Sequence, residues 1–255
     1  MLNQLKFNGA RVIVTGAGSG IGRACAEVLG ELDAHVILVG QPAEELDQTK
    51  AMLDRQKAKS ELHVLDVSVE SQVQALKEKI GRSDQPLKAL INNAGTNLVK
   101  RLEDVSTEEW SRMLAVDLNS VFFFSRAFMP LLEKAPGGGA IVNVASSLGI
   151  IGFPSMPAYC AAKGGVLAFT RQLAIDYGAR GVRVNAVCPG PTLSPRVRGY
   201  IESNLLNGEA IRKMVPLGRF AECREIANAM VFLASDAASF FNGASVVVDG
   251  GQTIQ

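Results

Sequence analysis

Short apolar runs alternate with longer amphipathic stretches along the whole of the 255-residue chain. The apolar runs consist largely of Val, Ile, Leu and Ala, and most of them end in glycine or in polar residues. Such runs are typical of parallel strands that are buried on both faces of a sheet. Strands are predicted in this way at residues 11–15, 35–40, 62–67, 88–95, 139–147, 182–190 and 244–249.

The stretches between these runs have apolar residues at helical spacing. Helices are predicted at residues 23–29, 44–59, 72–80, 108–132, 157–177 and 222–233. The alternation of strand and helix predicts an α/β fold, a Rossmann-like doubly wound parallel sheet with right-handed crossovers and helices on both faces.

One segment, residues 191–216, breaks this alternation because it mixes Pro, Arg, Ser, Asn and Gly. It predicts a lid near residues 190–216 that contains a short helix at most. No internal linker, repeat or low-complexity stretch divides the chain, so a single dinucleotide-binding domain is predicted over residues 1–255.

Composition excludes several classes of protein. With a net charge of +1, the chain has no concentration of positive charge that would bind a nucleic acid. The four cysteines, Cys25, Cys160, Cys188 and Cys223, lack C-x-x-C or zinc spacing and predict reduced thiols. Residues 1–9 lack the features of a signal peptide, and no apolar run is judged long enough to span a bilayer. We therefore expect a cytoplasmic protein with no nucleic-acid or membrane partner.

A glycine-rich turn joins the first predicted strand to the first helix. Gly16, Gly20 and Gly22 follow a G-x-x-x-G-x-G spacing. Free N–H groups at a helix N-terminus attract phosphate, and residues without side chains let a pyrophosphate approach the backbone. The placement of the glycines between a strand and a helix predicts a phosphate-binding loop.

The end of the second strand bears on the choice between NAD and NADP. An acidic residue there binds the ribose hydroxyls of NAD, and a nearby arginine binds the 2′-phosphate of NADP. This chain has Gly40 and Gln41 at that point, and Ser19 in the glycine-rich turn adds no positive charge. Gln41 can hydrogen-bond a ribose hydroxyl but cannot neutralise a phosphate, which favours NAD(H) over NADP(H).

Polar residues also stand at the ends of later strands, where ligands gather in an open α/β sheet. Asp66 ends the third strand and is assigned to the adenine side of the site or, alternatively, to a helix cap. The fourth strand ends in Asn92-Asn-Ala-Gly95, whose small residues and amides can line a crevice. Ser146 ends the fifth strand, a common place for serine.

Tyr159 and Lys163 form the candidate catalytic pair. Leu167, Leu173 and Ala174 recur at helical spacing after them, so the two residues lie one turn apart on the same helical face. A nearby ammonium favours the phenolate, which predicts a pKa for Tyr159 well below its ordinary value and proton exchange near neutral pH. A surface tyrosine beside a solvated lysine would show the same spacing.

In their joint order and spacing, these motifs resemble the compact, single-domain form of the short-chain dehydrogenase/reductase (SDR) family. The resemblance runs from about Ala10 to Gly251. It is carried by Thr15-Gly-Ala-Gly-Ser-Gly-Ile-Gly22, Asn92-Asn-Ala-Gly95, Asn119, Ser146, Tyr159-Cys-Ala-Ala-Lys163 and Pro189-Gly190.

The resemblance implies an NAD(P)-dependent oxidoreductase that interconverts a secondary alcohol and a ketone, often as a homotetramer. Tyr159 would exchange the proton, Lys163 would lower the phenol pKa and bind the nicotinamide ribose, and Ser146 would hydrogen-bond the carbonyl oxygen. Asn119 would hold a water in a proton relay, although a partly exposed helix residue is the plain alternative. Residues expected to bind the coenzyme are Gly16, Ser19, Gly20, Ile21, Gln41, Asp66, Val67, Asn93, Ala94, Gly95, Tyr159, Lys163, Pro189, Gly190 and Thr192.

Two other functions remain open on this scaffold. A dehydratase or epimerase usually carries a larger C-terminal substrate domain, and a non-catalytic dinucleotide sensor tends to lose the Tyr or the Lys. No metal is expected, because His35 and His63 lie on early strands away from any carboxylate cluster.

The substrate is less well defined by the sequence. An apolar wall beside the site would favour a hydrophobic or mid-sized alcohol or ketone, although these residues could equally pack in the core. Arg196 and Arg198 on the lid could meet an acidic substrate, but exposure to solvent is the simpler interpretation. The wall would consist of Leu98, Leu148, Ile150, Phe153 and Met156.

Overall fold

A computed structural model describes residues 2–254, so Met1 and Gln255 of the predicted domain lie outside the described residues. Its centre is a seven-stranded parallel sheet in the order β3-β2-β1-β4-β5-β6-β7. The predicted α/β, Rossmann-like doubly wound sheet is confirmed. The strands are β1 Arg11–Thr15, β2 His35–Gly40, β3 Ser60–Val64, β4 Leu87–Asn92, β5 Gly139–Val144, β6 Val182–Pro189 and β7 Ser245–Val248.

Helices cover both faces of this sheet. The helices are α1 Leu2–Leu5, α2 Gly20–Glu31, α3 Ala43–Arg55, α4 Glu70–Ile80, α5 Thr107–Leu114, α6 Ser120–Leu132, α7 Pro157–Gly178, α8 Pro195–Glu202, α9 Gly208–Lys213 and α10 Cys223–Ala234. A π-helical stretch, Ala115–Asn119, joins α5 to α6, so the predicted long helix is one continuous helical run with a wider turn inside it.

Alternate residues of the central strands supply two separate core layers. Val12 and Val14 of β1 pack in the layer that contains residues of α2 and α10. Ile13 packs in the opposite layer with Phe124 and Phe128 of α6, two rings stacked 5.9 Å apart. Fully burying one such side chain stabilises a fold by about 1.5–3 kcal/mol. Each apolar run that predicts a strand therefore contributes side chains to both core layers.

Most predicted boundaries differ from the structure by a few residues; the fourth and fifth strands, for example, each end three residues earlier than predicted. Two further differences concern the cleft. The third strand is Ser60–Val64 and not 62–67, because the turn that follows begins at Leu65 and is closed by the side chain of Asp66. The segment 191–216 holds two helices, α8 and α9, where a short helix at most is predicted. Both have side-chain caps: Ser194 accepts from the N–H of Val197, and Asn207 accepts from the N–H of Ala210.

The strand order fixes where a ligand can bind. β1 lies between β2 and β4, so the chain runs outward from β1 on one side and from β4 on the other. Such a reversal leaves a crevice outside the carboxyl ends of the strands. Thr15, the last residue of β1, and Asn93, directly after β4, meet at this crevice: the N–H of Asn93 donates to Thr15 Oγ1 at 3.0 Å.

One helical stretch is long and apolar enough to cross a membrane when judged by length and composition alone. It is Thr107–Leu132, and half of its most apolar window is buried inside the protein. The expectation that no apolar run reaches this length is therefore wrong. Phe124, Phe128 and Leu132 of this stretch are buried against the sheet, as in the core helix of a globular domain.

Candidate active site

A cleft of about 670 Å³ opens at the carboxyl ends of the strands, a size typical of sites for organic ligands. It is lined by every residue that the sequence analysis assigned to coenzyme binding: Gly16, Ser19, Gly20, Ile21, Gln41, Asp66, Val67, Asn93, Ala94, Gly95, Tyr159, Lys163, Pro189, Gly190 and Thr192. Of the predicted catalytic residues, Ser146, Tyr159 and Lys163 also line it, whereas Asn119 does not.

The glycine-rich turn has the conformation that a phosphate cradle requires. Gly16 and Gly20 have φ values of +63° and +54°, which residues with a Cβ rarely adopt. Helix α2 begins at Gly20, and its N-cap Ser19 makes no capping hydrogen bond, so the first-turn N–H groups stay available to an anion. A Cβ on Gly22 would lie 2.0 Å from the carbonyl oxygen of Gly16. These residues fit the pyrophosphate of a dinucleotide.

The floor of the cleft is braced by hydrogen bonds between the ends of β1 and β4. Thr15 Oγ1 accepts from the N–H groups of Asn93 and Ala94, both at 3.0 Å. The side-chain amide of Asn93 donates to the carbonyl oxygens of Thr15, at 2.9 Å, and Gly16, at 3.2 Å. The amide nitrogen of Asn93 therefore holds the turn in place, and the lining that it offers a ligand comes from its other atoms.

Asp66 stands at one end of the cleft with both carboxylate oxygens engaged. Oδ1 accepts from the N–H and hydroxyl of Ser68, and Oδ2 accepts from Arg112 at 3.1 Å. Burial raises the pKa of Asp66, but the hydrogen bonds from Ser68 and Arg112 outweigh it and hold that pKa below its ordinary value. Asp66 closes the turn after β3; the N-cap of α4 is Val69, so the helix-cap alternative does not apply.

The end of the cleft beside Gln41 carries a carboxylate that was not predicted from the sequence. Glu45 of α3 lines the cleft beside Gln41, and its Oε2 would lie 3.2 Å from a Cβ on Gly18. The nearby Arg23 is occupied, since it donates to the carbonyl oxygen of Gly18 and to Gln48 Oε1 at 3.0 Å. Among the described residues, the unpaired charge at this end of the cleft, beside Gln41, is therefore negative.

Tyr159 and Lys163 stand on the first two turns of α7, which begins at Pro157. The ammonium of Lys163 lies 5.7 Å from the centre of the Tyr159 ring and donates to the carbonyl oxygen of Val144 at 3.0 Å. Lys163 is 3% exposed, so the interpretation of a solvated lysine does not hold. Because Val144 ends β5, this hydrogen bond fixes the helix against the strand that leads to Ser146.

Burial is the main influence on the Tyr159 phenol. It raises the pKa of Tyr159 above the ordinary value, while the positive charge of Lys163 and a hydrogen bond with Ser146 act in the opposite direction. The prediction of a pKa well below the ordinary value is therefore wrong, because the burial of the phenol outweighs its ammonium neighbour. A phenol in this state is protonated at neutral pH and can act as a proton donor.

Asp117 occupies the place that the sequence analysis gave to Asn119. It is fully buried and lines the cleft, with Oδ1 3.2 Å from Lys163 Nζ and both oxygens accepting from the N–H of Thr96. Burial raises the pKa of this carboxyl, and Lys163 opposes the increase. Asn119 is exposed on another face of the helix, as its plainer interpretation has it. The sequence signal that could have identified Asp117 is its position as a carboxylate between the apolar residues Val116 and Leu118, because a buried charge needs a partner.

Ser146 is held by the structure that follows β5. It is 6% exposed and caps a short 3₁₀ turn, Ser147–Gly149, by accepting from the N–H of Leu148 at 3.1 Å. The next residue, Ser147, donates to Gln252 Oε1 at 2.8 Å, which joins two positions 105 residues apart. Gln252 also lines the cleft, and no motif in the sequence predicts this position.

The remaining part of the cleft has mainly apolar walls. Three of the predicted wall residues, Leu148, Phe153 and Met156, line it, whereas Leu98 and Ile150 do not. Residues from the 191–216 segment and beyond complete the wall, namely Leu206, Ile211 and Phe220. Arg196 lines the cleft as well and Arg198 does not, and both side chains are exposed to solvent, as expected from the sequence. Within residues 2–254, no group of three His, Cys, Asp or Glu side chains stands close enough to hold a metal ion.

Comparisons with known proteins agree with this geometry. A family model described as enoyl-(acyl carrier protein) reductase matches residues 16–253. The chain is 38% identical over 257 residues to meso-2,3-butanediol dehydrogenase of Serratia marcescens, with 98% of this chain and 96% of the relative covered. It is 41% identical over 243 residues to cis-4-hydroxycyclohexanecarboxylate dehydrogenase of Sinomonas cyclohexanicum, with 94% and 95% covered.

A solved structure is similar over nearly the whole chain. It is that of a putative NAD(P)-dependent gluconate 5-dehydrogenase from Beutenbergia cavernae with bound NADP at low occupancy. The TM-score is 0.92 at 32% sequence identity, and the match covers 99% of this chain and 100% of the other.

Proposed function

The chain belongs to the short-chain dehydrogenase/reductase family, and from this premise we propose which of its residues carry out the reaction. It is an NAD(P)-dependent oxidoreductase that acts on CH–OH groups and interconverts a secondary alcohol and a ketone. The observation that carries the proposal is that Tyr159, Lys163 and Ser146 line the same cleft as the glycine-rich turn. The coenzyme, when bound, supplies the hydride chemistry.

Tyr159 is proposed as the group that exchanges a proton with the substrate oxygen. For ketone reduction the protonated phenol donates, and its raised pKa keeps that proton in place at neutral pH. For alcohol oxidation the phenol must first ionise, so oxidation should be favoured at alkaline pH. Ser146 is proposed to donate a second hydrogen bond to the same oxygen, because charge that develops there needs donors already in place.

Lys163 is proposed to support the phenol in two ways. Its ammonium favours the ionised form of Tyr159, and it is the group in this cleft suited to binding the nicotinamide ribose. We assign the relay position to Asp117 and not to Asn119, because the Asp117 carboxylate contacts the Lys163 ammonium at 3.2 Å. A carboxylate there can accept a proton or a hydrogen bond from Lys163.

NAD(H) is proposed as the preferred coenzyme. The support is the Glu45 carboxylate beside Gln41, since a 2′-phosphate would bring like charge towards it. Arg23, a basic residue next to the glycine-rich turn, donates hydrogen bonds to Gly18 O and Gln48 Oε1 within the protein.

The wider organisation of the chain is part of the same proposal. We infer a single dinucleotide-binding domain over residues 1–255 in which α8 and α9 form a lid over the substrate. A homotetramer is supported by exposed apolar residues on α6, α7 and β7, namely Phe122, Ile175 and Val247. The four unpaired cysteines support a cytoplasmic location. Light scattering of the purified protein would measure the assembly, and a monomer would contradict the tetramer.

Turnover with a panel of secondary alcohols and NAD or NADP, followed by coenzyme absorbance, tests the central assignment. Tyr159→Phe should retain coenzyme binding and lose turnover on the order of a hundred- to ten-thousandfold. Tyr177→Phe is the matched control, because Tyr177 lies on the same helix and contacts Arg180 outside the cleft. A near-normal rate for Tyr159→Phe would remove the assigned proton donor.

A further inference from the structure

Arg196 brings a positive charge into the substrate half of the cleft. It is the second residue of α8, directly after Pro195, and Ser194 caps the helix by accepting from the N–H of Val197 at 3.3 Å. The capped helix start fixes the backbone from which the arginine extends into the cleft lining. Among residues 2–254, its guanidinium forms no hydrogen bond or ion pair.

The other charges of the cleft are compensated or lie elsewhere. Arg112 pairs with Asp66 at 3.1 Å on the adenosine side, and Lys163 pairs with Asp117 at 3.2 Å beneath the phenol. Glu45 stands at the glycine-rich turn. The part of the cleft left for substrate therefore carries an excess positive charge, and Arg196 supplies it.

This charge acts close to the reacting group. The positive charge of Arg196 lowers the pKa of both Tyr159 and Asp117, although burial raises each of them more. Arg196 is exposed to solvent at this edge of the cleft, and Leu206, Ile211 and Phe220 form an apolar part of the same lining. A substrate that covers the arginine would displace solvent from it and strengthen its attraction for an anion. The planar fork of a guanidinium also matches the geometry of a carboxylate.

We propose that Arg196 binds an anionic group of the substrate, and that the substrate is a hydroxy acid, or the corresponding keto acid, in place of a neutral alcohol. The inference rests on the proposed function, since it assumes that the hydroxyl carbon sits at Tyr159. The carboxylate would pair with Arg196 across the apolar part of the cleft, which accommodates the carbon skeleton between the two polar ends.

The test compares hydroxy acids with their own methyl esters. The probes are 3-hydroxybutyrate and 4-hydroxycyclohexanecarboxylate, each beside its ester, with saturating NAD and, separately, NADP. The wild type should prefer each acid that it turns over to the corresponding ester. Arg196→Gln should lose about ten- to a hundredfold in kcat/KM for the acid, mostly through KM, and leave the ester unchanged.

Arg198→Gln is the matched control, because Arg198 lies on the same helix and does not line the cleft. It should leave the rates on acid and ester unchanged. The inference would be overturned if Arg196→Gln lost equally on acid and ester, or if its kcat/KM for the acid equalled that of the wild type. Turnover of these substrates would in either case support the proposed function. If the enzyme turned over neutral secondary alcohols but none of these acids, the inference would fail and the proposed function would stand; failure on the alcohols, acids and esters alike would count against the proposed function.

The competing role for Arg196 is to bind a phosphate of the coenzyme, and measurements of coenzyme affinity distinguish this role from substrate binding. NADH and NADPH titrations by fluorescence should give the same dissociation constants for the wild type and Arg196→Gln. A weakening of either constant that accounts for the lost rate would show that the charge serves a coenzyme phosphate, and would overturn the assignment to substrate.

Discussion

Asp117 Oδ1 lies 3.2 Å from Lys163 Nζ, and the two side chains are 0% and 4% exposed. Breaking such a buried pair by removing one charge is costly, because the other charge is left without a partner in a poorly solvated place. The pair also affects the phenol: Lys163 lowers the pKa of Tyr159 and Asp117 raises it. Asp117 therefore limits how far Lys163 can assist ionisation of Tyr159.

Asp117→Asn should shift the pH dependence of alcohol oxidation towards lower pH. Removing the carboxylate charge leaves Lys163, Arg196 and the Ser146 hydrogen bond to act on Tyr159, and all three lower its pKa. The acidic limb of the kcat/KM profile reports ionisation of the free enzyme and should move accordingly. Asparagine can still accept from the N–H of Thr96 through its amide oxygen.

Asn119→Ala is the control for this prediction, because Asn119 is exposed two residues away. Its pH profile should match that of the wild type. An altered profile in Asn119→Ala with an unaltered one in Asp117→Asn would restore the relay role to Asn119.

The choice of coenzyme should respond to charge at two neighbouring positions. Glu45→Gln removes a negative charge near the ribose and should tighten NADPH binding by about fivefold with little effect on NADH. Gln41→Asp adds a negative charge and should weaken NADPH binding. Separate fluorescence titrations with the two reduced coenzymes measure both changes.

Glu44→Gln provides a control of identical chemistry, since Glu44 is the preceding residue of α3 and does not line the cleft. It should leave both affinities unchanged. A wild-type preference for NADPH would refute the proposal for NAD, and an unchanged coenzyme ratio in Gln41→Asp would mean that Gln41 does not reach the ribose.

Gly22→Ala should damage both stability and coenzyme binding. The added Cβ would lie 2.0 Å from Gly16 O and 2.5 Å from Asn93 Nδ2, so the turn and its brace must move apart. Overpacking of this kind costs about 1–3 kcal/mol, or roughly 2–4 °C in Tm for each kcal/mol in a chain of this size. Thermal unfolding and NADH fluorescence measure the two effects.

Gly152→Ala is the matched change, because a Cβ on Gly152 would meet no atom within 4 Å. Its Tm and coenzyme affinity should equal those of the wild type. If Gly22→Ala behaved in the same way, the close packing of α2 against the turn would not be needed for the phosphate cradle.

The buried strands were the part of the fold most open to prediction. The first two strands have the predicted limits, Arg11–Thr15 and His35–Gly40, because their apolar runs are buried on both sides and end where glycines begin. The third strand lies at the edge of the sheet and is only partly buried, so its apolar pattern carries less information. Its end is set by a tertiary detail, the Asp66 turn that Arg112 completes.

The cleft was predictable wherever a residue follows a strand directly. Ser146 and Asp66 reach it because parallel strands all end at one edge of the sheet. Asn119 was assigned to the cleft only through the family resemblance and not from the helical period. The wider π-helical turn Ala115–Asn119 departs from a regular 3.6-residue period, and within it Asp117 is buried whereas Asn119 is exposed. Asp117, and not Asn119, is consequently the residue that meets Lys163.

The hydrogen bond between Ser147 and Gln252 has a practical consequence for anyone who produces this protein. It ties the residue beside Ser146 to the short 3₁₀ turn that follows β7. Any shortened version that lacks Gln252 would lose this hydrogen bond and with it part of the support of the serine. Protein prepared for kinetic work should therefore retain the turn.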